Sequence, residues 1–270
     1  MLSLANATLV RDIGAQILHN NDFVANSSVA ARLRYIADHW TDLGLPAEDV
    51  LSGIFLPLNE LIRVRDCTKH WSIKAKRSSG LCHDGSSTYE QIAAYSRIGR
   101  QAMASSLQQL PTFCETGFNA GHTSSIFLLL GYRVHSFDVA FNSYTPAVAN
   151  LLSRVWQDRF QLHVGDSRLT LPKWINANKC DVVSVDGLHT PAAVRGDVLS
   201  FKRVVSPGAT LLVDDTSPKY GRLLNALQRL EQEQIITTPR CTDFGMVATV
   251  RGDRPKHFCQ SSFRTDSTIG

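Results

Sequence analysis

Two groups of residues in this chain have types and spacings that could do chemistry. The first is Asp186-Gly187-Leu188-His189, which ends the largely apolar run 181–186. An imidazole titrates near pH 6.5, so His189 can take or give a proton near neutrality. Asp214-Asp215 close another apolar run, 209–215, and supply further carboxylates. The second group begins with Glu115-Thr116-Gly117-Phe118-Asn119-Ala120-Gly121. Its glycines allow a tight backbone and close ligand approach, and a helix starting behind them offers free N–H groups to a polar ligand. Asp138 lies about 20 residues on, where an acid can hold ribose hydroxyls. Gly165-Asp166-Ser167 ends the next run. Any one of these acids could be a loop-capping carboxylate. Three in order beside a glycine turn favour an adenosine-type ligand. The turn is not Gly-x-Gly-x-x-Gly, which argues against a nicotinamide dinucleotide.

Positioning such groups requires strands, and the strands are legible. From residue 111 the pattern runs strand, loop, helix, repeated. The expected strands are 112–116, 132–138, 160–166, 181–186 and 209–215, with helices such as 145–157 and 218–234 between them. A final pair, 235–239 and 244–252, is joined by so short a loop that it should be antiparallel. Strand–helix alternation with buried strands predicts an α/β fold, a mostly parallel sheet covered on both faces. Residues 1–110 look different. Segments 27–44, 47–66 and 88–110 show helical spacing, and 78–88 is a Ser/Gly-rich loop. The expected division is a helical cap or lid over 1–87, the α/β domain over 88–252 and a polar tail over 253–270.

The totals exclude several classes. The chain has 270 residues, 43% hydrophobic and 19% charged, enough for a full core. A net charge of +4 is too weak to imply nucleic acid. No run approaches a membrane span. Six cysteines are scattered without a Cys-x-x-Cys pair, which argues against zinc and leaves disulfides undecided. Cys114 and Cys180 sit in or beside apolar runs and read as small buried hydrophobes. The start lacks a signal-peptide pattern, so a cytoplasmic location is expected, with a secretory lumen open if a leader has been removed. A homodimer is left open.

The motif order resembles the class I S-adenosylmethionine-dependent methyltransferases. Their acidic-x-Gly-x-x-x-Gly motif is matched by Glu115, Gly117 and Gly121. The resemblance implies a Rossmann-like seven-stranded sheet in the order 3-2-1-4-5-7-6, with strand 7 antiparallel and helices on both faces. It further implies cofactor contacts from the glycine loop (Glu115, Gly117, Phe118, Asn119, Gly121), from Asp138 at the ribose, from Asp166 and Ser167 near the adenine, and from Asp186. In that order strands four and five are neighbours, so Asp186, Asp214 and Asp215 would converge. Converging carboxylates repel unless a cation lies between them, and oxygen donors suit Mg²⁺, Ca²⁺ or Mn²⁺. The alternative is that one aspartate caps the loop and another meets a backbone amide.

Metal-dependent small-molecule O-methyltransferases, of the catechol and macrolide-sugar types, place aspartates at these three positions. The catechol type has a lysine base three residues after the first, the spacing His189 occupies here. A related branch shows Asp-Gly-Asp-His, a further aspartate eight residues on, and then His-Asp-Thr. This chain is a hybrid, with Leu188 for an acid, Asp197 in the helix, and Asp214-Asp215-Thr216. Asp197 reads as support for the loop. The function implied is methyl transfer to a hydroxyl of a small molecule, with His189 and Asp186 catalytic, Asp186, Asp214 and Asp215 binding the metal, S-adenosylmethionine as cofactor and Mg²⁺ as the expected ion. The rivals are a metal-independent methyltransferase using His189 alone, an inactive binding module on the same fold, and a nucleotide-binding oxidoreductase.

Overall fold

The structure is a computed structural model. It describes Ser87 and residues 89–250, apart from 88, 107–109, 142–144, 175–178, 215, 217–220, 238 and 243–244. The expected helices at 27–44 and 47–66, nearly all of the loop at 78–88, and the tail at 253–270 lie outside the described residues.

The described chain opens with helix α1 (Tyr89–Ser105) and then alternates: β1 (Thr112–Thr116), α2 (His122–Leu129), β2 (Arg133–Asp138), α3 (Thr145–Trp156), β3 (Phe160–Val164), the one-turn α4 (Ser167–Thr170), β4 (Cys180–Val185), α5 (Pro191–Phe201), β5 (Val205–Asp214), α6 (Gly221–Gln232), β6 (Arg240–Thr242) and β7 (Gly245–Thr249). The sheet has seven strands in the order β3-β2-β1-β4-β5-β7-β6. The first five are parallel, and β7 runs antiparallel to both β5 and β6. This is the order expected from the sequence.

Central strands carry apolar residues on both faces because helices cover both. Every residue of β1 and β4 is buried, whereas edge strand β3 exposes Gln161 and Val164. One face buries Phe113, Val134 and Val182 against α1, α2 and α3. The other buries Cys114, Val183 and Leu211 against α5 and α6. Helix α1 fits its face closely. A Cβ on Gly99 would stand 2.5 Å from a Leu130 methyl, and the Tyr132 hydroxyl donates to the Gly99 carbonyl at 2.6 Å.

The carboxyl-terminal hairpin differs from expectation. Residues 235–239 do not form a strand; Ile236 makes a single bridge to Val250, and the paired strand is 240–242. The Thr249 N–H donates to the Thr237 hydroxyl at 3.0 Å, a side chain standing where a backbone acceptor would continue the ladder. Pro239 has no N–H to restore it.

The two cysteines read as small hydrophobes are buried but bonded. Cys114 of β1 and Cys180 of β4 form a disulfide with their Cα atoms 5.9 Å apart. A register shift in the β4–β5 pairing between Cys180 and Val182 accompanies it, placing Cys180 on the same face as Cys114. The bond staples the two strands whose ends carry Glu115 and Asp186. Replacing both cysteines by alanine is expected to lower the free energy of unfolding by roughly 2–4 kcal/mol in a urea titration. That gap should shrink when both proteins are measured with dithiothreitol, because only the wild type has this bond to lose. A gap that dithiothreitol leaves unchanged would show that the bond does not form.

Candidate functional site

Parallel strands deliver their carboxyl ends to one rim, and β1 and β4 meet there. The β1 strand continues as far as the Thr116 carbonyl, which accepts from the Asp186 N–H at 3.0 Å. The next residue turns away at Gly117 with φ 89°, and its N–H donates to the Phe137 carbonyl at 2.9 Å. A Cβ on Gly117 would lie 1.9 Å from the Asp186 carbonyl oxygen, so no other residue fits. Asn119 also takes positive φ, 48°, and Gly121 closes the turn at φ 73° as the N-cap of α2.

Asp138, at the end of β2, fixes this loop. One carboxylate oxygen accepts from the Asn119 N–H at 2.9 Å and the other from the Ala140 N–H at 2.6 Å. Each oxygen keeps a lone pair that can face a ligand. Beyond β3, Asp166 caps the short α4 by accepting from the Arg168 N–H at 2.9 Å, and the Arg168 guanidinium grips the same carboxylate. That pair holds the Asp166 carboxyl below its usual range. Asp166 is therefore a capping carboxylate, the alternative its position left open, and it also lines the cavity.

These ends enclose a cavity of about 380 Å³. Gly117, Asn119, Asp138, Asp166, Ser167 and Asp186 all line it. Thr116, Phe137, Val139, Phe141, Leu188 and Arg168 complete much of the wall. Of these, Phe137, Val139, Phe141 and Arg168 stand outside every motif read from the sequence, and Thr116 and Leu188 stand within motifs without a role assigned at the cavity. At one end His189 Nε2 lies 3.1 Å from Asp186 Oδ1, with both side chains about one-third exposed.

Residues 114–216 match the family model of a methyltransferase domain. Solved structures share the fold. The O-methyltransferase TomG of Streptomyces achromogenes, involved in tomaymycin synthesis and solved with S-adenosylmethionine, aligns at TM-score 0.51 and 19% identity over 63% of this chain and 83% of its own. CalS11, a TDP-rhamnose 3′-O-methyltransferase of calicheamicin biosynthesis, aligns at 0.50 and 15% over 83% and 93%. A Staphylococcus aureus protein described as a caffeoyl-CoA O-methyltransferase aligns at 0.50 and 12% over 62% and 85%. The described chain therefore shares the fold of these solved methyltransferases. No curated protein matches the sequence.

Three residues expected at the cofactor do not line the cavity. Phe118 is buried, its ring 5.5 Å from that of Phe160 and packed under Gly121. Gly121 itself is covered by that ring and serves the turn. Glu115 is buried at the start of the loop, and the hydroxyls of Ser124 and Ser136 both donate to it. It thus ties α2 and β2 to β1. Burial drives the Glu115 pKa up to about 8, against the pull of the two serines, and the Asp186 and Asp138 carboxylates add to the rise. Ser167 reaches the wall, but its hydroxyl donates to Asp197 at 2.8 Å.

The three expected metal ligands are only partly described. Val185 pairs with Val213, so Asp186 and Asp214 take adjacent places on neighbouring strands, while Asp215 lies outside the described residues. Among the described residues no group of three His, Cys, Asp or Glu side chains forms a metal-binding cluster.

Two outcomes follow. Gly117→Ala should weaken S-adenosylhomocysteine binding by about 5- to 150-fold, since one strained contact of this kind costs about 1–3 kcal/mol; calorimetry showing wild-type affinity would refute the close approach. Glu115→Gln should remove a pH dependence of stability. A raised carboxyl pKa means the neutral form is preferred in the fold, so the contribution is complete below the unfolded value, about 4.5, and is lost as pH rises towards about 8. In urea titrations the wild type should therefore lose stability relative to the glutamine variant across this window, by up to about 1.4 kcal/mol per pH unit. A difference constant with pH would contradict it.

Proposed function

We propose that the protein is an O-methyltransferase that acts on a hydroxyl of a small molecule, with His189 as the base. The observation that carries this reading is the Asp186–His189 pair, 3.1 Å apart, whose Asp186 lines the cavity while His189 follows two residues after the lining Gly187. The TomG and CalS11 structures support the O-methyl chemistry through their shared fold.

When bound, S-adenosylmethionine supplies an electrophilic methyl group and leaves as a thioether. The residues present fit it. Asp138 keeps lone pairs for ribose hydroxyls, Gly117 admits a ligand against bare backbone, and the exposed Val139 and Phe141 offer apolar side chains for the base. In this reading His189 donates from Nε2–H to Asp186 and takes the proton of the acceptor hydroxyl at Nδ1. The carboxylate orients the ring and stabilises the imidazolium that results. The rest is positioning, since no covalent enzyme intermediate is needed.

A divalent cation belongs to this proposal. Asp186 and Asp214 sit side by side at one rim, and hard oxygen donors of like charge suit Mg²⁺ better than zinc. Such an ion would bind the acceptor oxygen and lower its pKa. The Cys114–Cys180 disulfide supports an oxidising compartment, the secretory lumen rather than the cytosol.

The test follows S-adenosylhomocysteine release with catechol and other diols as acceptors. His189→Ala should lower kcat by roughly 10²–10⁴ while cofactor binding persists. Asp214→Ala and EDTA should each abolish Mg²⁺-stimulated turnover. Full turnover of Asp214→Ala in EDTA would select the metal-independent reading. Wild-type turnover of His189→Ala would exclude the base, and no turnover on any diol would favour the binding module.

A further inference from the structure

The loops that line the cavity follow β1, β2, β3 and β4, and those after β1, β3 and β4 share a support. One side chain from outside all three loops reaches them. Asp197, on α5, is 1% exposed. Its Oδ1 accepts from the Ser167 hydroxyl at 2.8 Å, in the turn that carries Asp166 and Arg168. Its Oδ2 lies where a Cβ on Gly187 would stand only 3.6 Å away, in the turn between Asp186 and His189. The Thr116 side chain borders the same spot, at the end of β1. Burial raises the Asp197 pKa, and the hydroxyls of Ser167 and Thr116 oppose the rise. A buried carboxyl needs a reason to be retained, because burying it costs free energy unless its partners hold it. Helix α5 is anchored independently, by Val194, Val198 and Phe201 in the core, so Asp197 is not needed to hold the helix down.

We propose that Asp197 is a positioning residue. It fixes the Ser167 turn against the Gly187 turn and so sets the separation between the Asp166 wall and the Asp186 wall. This rests on the reading of the cavity as the S-adenosylmethionine site. Freed from Asp197, the 165–168 turn keeps the Gly165 N–H bond to the Asp138 carbonyl at its start and local bonds such as Asp166 with Arg168, but loses its tie towards the β4 side, and the cavity loses its fixed width. The Asp186–His189 bond does not involve Asp197, so the chemistry at His189 is left intact.

The experiment measures S-adenosylhomocysteine binding by calorimetry, and KM and kcat with saturating acceptor. Asp197→Ala is expected to weaken binding by about tenfold, the value of a hydrogen bond to a charged group, and to raise KM for S-adenosylmethionine with kcat nearly unchanged. Asp197→Asn keeps an acceptor for Ser167 and should stay within about threefold of wild type. Ser167→Ala should reproduce the Asp197→Ala loss, and the double variant should be no worse than either alone, because both remove one interaction. Ser167→Ala lies in a surface turn, so it keeps the test open even if Asp197→Ala does not fold. Wild-type affinity in Ser167→Ala, or losses that multiply in the double variant, overturns the inference. If the unmodified protein binds no S-adenosylhomocysteine, the cofactor reading fails and the inference falls with it.

Discussion

The carboxyl end of the sheet is arranged around one backbone contact, Gly117 against the Asp186 carbonyl. There is space there for a hydrogen and for nothing larger. The contact brings the loop after β1 and the loop after β4 to a single point, with the Thr116 carbonyl taking the Asp186 N–H beside it. Asp138 and the Phe137 carbonyl then secure the glycine turn from the β2 side. Asp186 is consequently delivered to the rim by main-chain hydrogen bonds, and its carboxylate is left to serve His189.

The electrostatics follow from the same crowding. Glu115, Asp138 and Asp186 stand close enough that the latter two raise the Glu115 pKa. The fold separates their tasks by burial. Glu115 is sealed in and held by two serines, where a neutral acid is stable. Asp138 and Asp186 remain half-exposed and able to face a polar ligand. Asp166 is committed to Arg168. Acids that look alike in sequence are thereby divided into an internal brace, a loop anchor, a clamped wall and a partner for an imidazole.

Two further ties hold the frame rigid below the rim. The Cys114–Cys180 bond joins β1 to β4 on the α5 side, and the Gly99–Leu130 contact seats α1 on the other. Ser87 adds a link from the chain entering the domain, its N–H donating to His122 Nδ1 at 2.9 Å just behind the glycine turn. Burial lowers the His122 pKa to about 4, which keeps that nitrogen an acceptor at neutral pH.

The order of the strands was implied by the family resemblance, while the sequence by itself determined where the parallel strands fall and the places of Gly117, Asp138, Asp166 and Asp186. Their signals are local: apolar runs of strand length, each ending at an acid or a glycine, repeated with helical segments between. It also placed His189 beside Asp186, since three residues across a tight turn is a short reach. Only the tertiary structure decided the rest. It turned Glu115 and Phe118 inward and bonded two cysteines 66 residues apart. It showed Asp197 reaching the Ser167 turn, and it moved the last hairpin from 235–239 to 240–242. Each depends on which side chains meet across strands or from a packed helix, and that distance in space is not written in the spacing along the chain.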